Sequence, residues 1–164
     1  PLLRIFFCGR ETAFALSSSI EDIDSANDGQ VNQKMEREGN MQSIQRWLRR
    51  AGGWQSLSQA GVFSASAGGQ LELRLHCRGR SPTGLRALSI ECREKPEHWG
   101  PELCLEIGDL AWYPYEYREP DLLFPFCVYR KEKGKLRVDH SLKRRLILMA
   151  EAWDQELLQY HLTA

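Results

Sequence analysis

Several things are missing from this 164-residue chain, and each absence removes a class of function. No apolar run approaches the length of a bilayer span, so no transmembrane helix is expected. The apolar opening at residues 1–8 lacks a basic leader, and it reads as a buried strand rather than as a signal-peptide remnant. There is no GxSxG, HExxH, P-loop or dinucleotide fingerprint, so nothing by motif supports catalysis and a non-enzymatic protein is expected. The acidic residues Glu91, Glu94 and Glu97 lie near Lys95, but the Asp and Glu-x-Lys strand of a metal-dependent nuclease are missing. The five cysteines, Cys8, Cys77, Cys92, Cys104 and Cys127, are odd in number and form no CxxC pair. Buried free thiols in a reducing, cytoplasmic compartment follow. The four histidines, His76, His98, His140 and His161, show no metal-ligand spacing, and no metal or resident cofactor is expected.

Net charge is also absent: 22 basic residues balance 22 acidic ones. The zero total hides segregation. Residues 89–121 carry nine acidic side chains against Arg93, Lys95 and Arg118, and residues 128–145 carry eight basic ones against Glu132 and Asp139. A balanced total argues against wholesale nucleic-acid binding, yet it permits a local anion site.

What is present is mostly strand. Residues 70–93 read as two strands around a polar turn. Leu71, Leu73, Leu75 and Cys77 alternate with Glu72, Arg74, His76 and Arg78, the period of a half-buried strand. Leu88, Ile90 and Cys92 alternate in the same way with Ser89, Glu91 and Arg93. Between them, Gly79-Arg80-Ser81-Pro82-Thr83-Gly84 has the composition of a turn. Arg74, Arg78, Arg80 and Arg86 crowd that turn with forked cations suited to phosphate or guanine.

Further strands are expected over residues 2–8, 60–66, 102–108 and 122–129. Pro125 bends the last of these or places it at an edge. A charged hairpin turn follows at residues 130–135. Residues 11–29 are ambiguous between helix and loop. Residues 33–50 read as helical, with Met41, Ile44, Trp47 and Leu48 on one stripe and residues 51–53 as the stop. The clearest helix is the last. Asp139 or Ser141 can cap it, and Leu142, Leu146, Met149, Ala150, Trp153, Leu157 and Tyr160 share one face. The fold class is α+β, mainly β: an antiparallel six-stranded barrel with a C-terminal helix. An N-terminal strand and helix extension occupies residues 1–45, and the barrel domain occupies 46–164.

This order of elements resembles the PilZ domain family, bacterial receptor modules for cyclic di-GMP. Arg46-Trp47-Leu48-Arg49-Arg50 has the spacing of the family's RxxxR segment, and residues 79–84 have the spacing of its [D/N]xSxxG turn, with Gly79 where the family carries Asp or Asn. Residues 127–138 resemble its last hairpin, and residues 142–158 its closing helix. The resemblance implies that Arg46 and Arg50 clamp the dinucleotide with Arg49 nearby, while Ser81 and Gly84 form the opposite wall. Arg78 and Arg80 flank that turn. Arginine suits both halves of such a ligand, pairing with guanine O6 and N7 and with phosphate. A regulatory module that signals to a protein partner is the function implied.

Two other classes compete. A nucleic-acid-binding protein would use the basic stretches Arg74 to Arg86 and Arg130 to Arg145. A pure interaction protein, such as an immunity or secretion-system component, would bind neither ligand. Trp112, Tyr113, Tyr115 and Tyr117 could stack bases, but alternating aromatics with Pro114 and Pro120 read first as packing.

Overall fold

The structure is a computed structural model that describes residues 3–7, 10–14, 41–67, 71–94, 98–109 and 111–159. An N-terminal hairpin pairs β1 (Leu3–Phe7) with β2 (Arg10–Phe14). Two short helices follow, α1 (Gln42–Arg50) and α2 (Gly53–Ala60). The main sheet is an antiparallel meander in sequence order: β3 (Val62–Ala67), β4 (Leu71–Arg80), β5 (Arg86–Glu94), β6 (His98–Ile107), β7 (Trp112–Arg118) and the two-residue β8 (Phe126–Cys127). A separate ribbon pairs β9 (Tyr129–Glu132) with β10 (Lys135–Val138), and α3 (His140–Leu158) closes the chain.

The strand count and the closing helix agree with the sequence reading, but the barrel needs correction. The sheet is open: β3 and β8 stand at its two edges, and among the described residues no pairing joins them. The physical reason lies in the helices. A sheet must hide its apolar face, and here Ile44, Trp47 and Leu48 of α1, Leu57 of α2, and Leu146, Met149, Trp153 and Leu157 of α3 share one core with it. From the sheet they meet Leu73, Leu75, Leu88, Ile90, Leu103 and Leu105, all fully buried. Trp153 packs edge-on against Tyr117, with ring centroids 6.5 Å apart. The boundary drawn after residue 45 falls inside α1, whose Met41 and Ile44 belong to this same core.

The helix ends follow from local chemistry. Gly52 and Gly53 take φ of 98° and 77°, a region glycine enters without steric cost. They separate α1 from α2, a helix that the sequence reading left unassigned. Asp139 caps α3 by accepting from the Leu142 amide at 2.9 Å. Tyr160, expected on the apolar face of that helix, lies outside the described residues. α1 has no cap of its own. Its first amides are instead held by Asp154 of α3, which accepts from Gln42 N at 2.8 Å and Ser43 N at 2.9 Å, and also from the Ser43 hydroxyl. A carboxylate 111 residues away in sequence thus supplies the cap. No helix among the described residues is long and apolar enough to cross a membrane.

Candidate functional site

The helices cover one face of the sheet, and the chemistry lies on the other. Strand register stacks this outer face in rows. One row runs His76, Ser89, Cys104, Glu116, Cys127 across β4 to β8, and the next runs Arg74, Glu91, Glu102, Arg118 across β4 to β7. Arg78 donates to Ser89 Oγ at 2.9 Å and also to Glu102. Arg118 donates to Glu116 at 2.6 Å and lies 3.9 Å from Glu102. His76 contacts Glu91 at 3.2 Å. Burial opposes ionisation of Glu102, but hydrogen bonds from Ser89 and Arg78 and the charges of Arg78 and Arg118 outweigh it, holding its pKa below the ordinary value. Burial, reinforced by Glu102 and Glu116, pushes the Cys104 thiol up to about 12. The Cys127 thiol is raised by burial and by Glu116. Both thiols are therefore protonated at neutral pH and point at Glu116, 4.0 and 3.6 Å from its two oxygens. They lack the thiolate character that a nucleophile or metal ligand needs. Among the described residues no group of three His, Cys, Asp or Glu side chains is arranged to hold a metal.

The β4–β5 turn is tight and largely self-satisfied. Gly84 N donates to Ser81 O at 2.9 Å, Ser81 N donates to Leu85 O at 2.8 Å, and the Arg80 guanidinium donates to Gly84 O at 2.6 Å. Gly79, with φ of 76°, sits at a register shift in β4, as a bulge glycine does. Ser81 is buried, and its hydroxyl donates to Glu106 at 2.9 Å. Thr83 donates to the same oxygen at 2.6 Å, and the Tyr129 hydroxyl donates to the other. Glu106 is only 3% exposed, so three hydroxyls replace the water that a buried carboxylate loses. Burial first, then Glu106, raises the Tyr129 phenol pKa, which keeps it a donor.

The expected site residues therefore fall into two groups. Arg78, Arg80, Ser81 and Gly84 come together around the β4–β5 turn. Arg46, Arg49 and Arg50 project from the exposed face of α1, a packed helix rather than a loop. Arg46 leans on Gln42 at 3.4 Å and Arg49 on the Gln45 carbonyl at 3.3 Å. Arg49 and Arg50 lie in the last turn of α1, where positive charge suits the helix dipole. Of the four clustered aromatics, Trp112, Tyr115 and Tyr117 are buried, so their rings are not open to bases. Tyr113 lies under the Lys143 ammonium, 5.0 Å from its ring centre.

The two ends of the sheet carry different groups. Arg86, Ile107 and Trp112 are register partners near one end of the sheet, and Glu91, Glu102 and Arg118 near the other. Five residues of β5 separate the two rows, roughly 16 Å. The first end carries Arg80, Arg86 and Lys143, and the ribbon and the first turns of α3 adjoin it. The second holds a cleft of about 270 Å³ lined by Glu91, Glu102, Arg118 and Glu119, with Gly100, Pro120, Leu122, Leu123 and Pro125. Neither this cleft nor the hydroxyl cage of Glu106 was marked by a motif. Each is assembled by turns folding back onto the sheet, and strand alternation does not encode that.

Fold and surface together define a helix-backed antiparallel sheet with an ion-paired outer face. Comparison with family models, with curated proteins and with solved structures found no match for this chain.

Proposed function

We propose that the protein is a non-enzymatic module that binds nucleic acid through its basic end, using the β9–β10 ribbon and the first turns of α3. One observation carries this reading: the arginines of the sheet contact glutamates, whereas the lysines of the ribbon have no acidic partner among the described residues. Arg74, Arg78 and Arg118 each contact a glutamate. Lys131, Lys133, Lys135, Arg144 and Arg145 are exposed, and among the described residues none has an acidic partner within ion-pair distance. In the ribbon only Arg130 and Arg137 are paired, to Asp139 at 4.0 Å and to Glu132 at 3.0 Å, both exposed contacts of little energy. The ribbon turn is built to be short and stiff. Lys133 and Gly134 take φ of 48° and 78° between the paired Glu132 and Lys135, a two-residue turn with both φ positive. A narrow basic β-ribbon fits along a phosphate backbone or into a groove. The Arg74 to Arg86 half of the expected nucleic-acid surface contributes less, because its arginines are committed to glutamates, to the turn carbonyl or, for Arg86, to the Trp54 ring 5.9 Å away.

The test is binding of a short labelled RNA and a DNA duplex across a salt series. Each phosphate neutralised contributes about −0.9 to the slope of log K against log salt on duplex DNA. The triple variant Lys131→Glu, Lys133→Glu, Lys135→Glu is expected to flatten that slope by about 3. Salt-independent binding, or binding indifferent to the triple variant, would refute the reading.

A second reading is favoured by the tight Ser81–Gly84 turn lying at the same basic end: a module of PilZ type that binds cyclic di-GMP or has lost it, and signals to a protein partner. It asks for Arg46 and Arg50 to leave their positions on α1 and for a ligand to compete with Glu106 for Ser81. Calorimetry with cyclic di-GMP tests it, using Arg50→Ala as the control and Gly79→Asp as the variant expected to bind more tightly. The space beside Gly79 is open, although its φ of 76° adds backbone strain to any side chain placed there. Absence of heat in the wild type and in Gly79→Asp would remove the nucleotide-binding form and leave only the adaptor that has lost it.

A further inference from the structure

The cleft end of the sheet carries a feature that neither reading uses. The segment between Pro120 and Pro125 presents three consecutive large apolar side chains to solvent: Leu122 is 46% exposed, Leu123 92% and Phe124 81%. Leu122 and Leu123 form the lip of the 270 Å³ cleft, whose floor holds Glu91, Glu102 and Glu119 with Arg118; Arg78 also donates to Glu102, and His76 contacts Glu91, so the three carboxylates outnumber the two guanidiniums by one. The Arg118 guanidinium is already held by Glu116 at 2.6 Å. The cleft is thus negative inside and apolar at the rim, and a contiguous exposed apolar patch of this kind marks an interaction surface.

Its chemical complement is present in the same chain. The β9–β10 ribbon carries Lys131, Lys133 and Lys135, which have no acidic partner among the described residues, and beside them Leu136 and Val138, 44% and 38% exposed. Positive charge next to exposed aliphatic surface is what the cleft and its lip would take. The two features cannot easily meet within one molecule. From Phe126 at the cleft end to Glu132 at the ribbon turn the backbone runs through β8 and β9, bending only at Val128. Six steps at strand rise carry the chain up to roughly 20 Å toward the ribbon turn. A second copy meets no such limit.

We propose that the protein associates head to tail with copies of itself, the basic ribbon of one molecule docking in the acidic cleft and against the Leu122–Phe124 lip of the next. The contact is heterologous: each molecule uses one surface to give and a different one to receive, so the assembly grows until a ring closes or a filament forms. Attraction between opposite charges steers the encounter and is screened by salt, and the apolar lip supplies the part that salt does not remove. The proposal shares the ribbon lysines with the nucleic-acid reading but not the lip, so the lip variant separates the failure of one from the failure of the other.

Sedimentation velocity across a concentration series tests it. At roughly 0.01 M salt, where the screening length is about 30 Å, the average mass should rise with concentration. At roughly 1 M salt, where that length is about 3 Å, the rise should be much weaker. The lip variant Leu123→Asp with Phe124→Asp changes side chains that are already in solvent, so its fold is retained. It should be monomeric in low salt while keeping whatever nucleic-acid affinity the wild type shows. The ribbon variant Lys131→Glu, Lys133→Glu, Lys135→Glu should also be monomeric alone. Mixed together, the two should form a one-to-one dimer, because the lip variant retains an intact ribbon and the ribbon variant an intact cleft. A wild type that stays monomeric in low salt would overturn the proposal, and so would a mixture of the two variants that stays monomeric.

Discussion

Asp154 is the most exposed weakness of the helical layer, although it is itself almost buried, at 7%. Replacing it with alanine removes three hydrogen bonds at once, from Gln42 N, Ser43 N and Ser43 Oγ. Loss of a helix cap costs about 1 kcal/mol, and leaving a further donor unsatisfied in a partly buried site costs about 1–3 kcal/mol more. The loss of negative charge from the N-terminus of α1 adds about 0.5 kcal/mol. Asp154→Ala should therefore destabilise the protein by about 3 kcal/mol. At about 2–4 °C per kcal/mol for a chain of this size, Tm should fall by about 6–12 °C. Asp154→Asn keeps one acceptor but turns an amide donor toward a second N–H, so about half the loss is expected. Ser43→Ala keeps both amide bonds and should cost about 1 kcal/mol. The assay is urea unfolding followed by tryptophan fluorescence, with hydrogen exchange read at the Gln42 and Ser43 amides. If Asp154→Ala shifted stability by less than about 0.5 kcal/mol, the range of an ordinary surface change, the cross-helix cap would contribute nothing. Unchanged exchange at those two amides would refute the reasoning equally.

Other perturbations probe the outer face. A Cβ added at Gly100 would stand 1.8 Å from the Cys92 carbonyl oxygen, so Gly100→Ala must push β5 and β6 apart where their register shifts; a cost of about 2–3 kcal/mol in chemical unfolding is expected. Because the folded pKa of Glu102 is depressed below 4.5, its contribution to stability is present above that value and is lost as pH falls through the folded pKa. Glu102→Gln should accordingly flatten the acid limb of a stability–pH profile below about pH 4.5 while leaving its slope near neutrality unchanged. The Cys104 thiol, raised to about 12 and 2% exposed, should resist iodoacetamide at pH 8 in the folded protein and react on unfolding, as read by mass spectrometry. Tyr129→Phe removes one of the three donors to Glu106; about 1–3 kcal/mol of destabilisation is expected, and a neutral result would mean that water replaces the phenol.

The sequence was most readable where one face of an element is buried against a single layer. Strands β4 and β5 and helix α3 came through with the right faces, because Leu73, Leu75, Leu88, Ile90, Leu146 and Trp153 keep strict spacings of two or of three and four. The Asp139 cap was legible because it lies three residues from the amide it holds. α2 was missed because Gly53-Trp54-Gln55-Ser56-Leu57 buries only Leu57, too little for a stripe. β2 was missed because residues 11–29 contain both helical and loop signals and the hairpin depends on a partner strand. Barrel and open sheet bury the same alternating pattern, so only the position of the helices distinguishes them. The arginines show the same limit. Residue type and spacing marked Arg46, Arg50, Arg78 and Arg80 alike, but whether a guanidinium is spent on a neighbouring carboxylate is decided by strand register. That decision separates Arg78, committed to Glu102, from the ribbon lysines, which have no acidic partner among the described residues.

The Cys104–Glu116–Cys127 row bears on how the protein tolerates air. The two thiols belong to β6 and β8 with β7 between them, about two strand spacings, or roughly 9.5 Å. A disulfide needs Cα atoms closer than about 7 Å, so an oxidant can join these sulfurs only if the two-residue edge strand β8 peels from β7 or β7 itself leaves the sheet. Opening of the β7–β8 edge would therefore have to precede this internal cross-link, and its appearance in a mass spectrum would report that local opening rather than a property of the intact sheet.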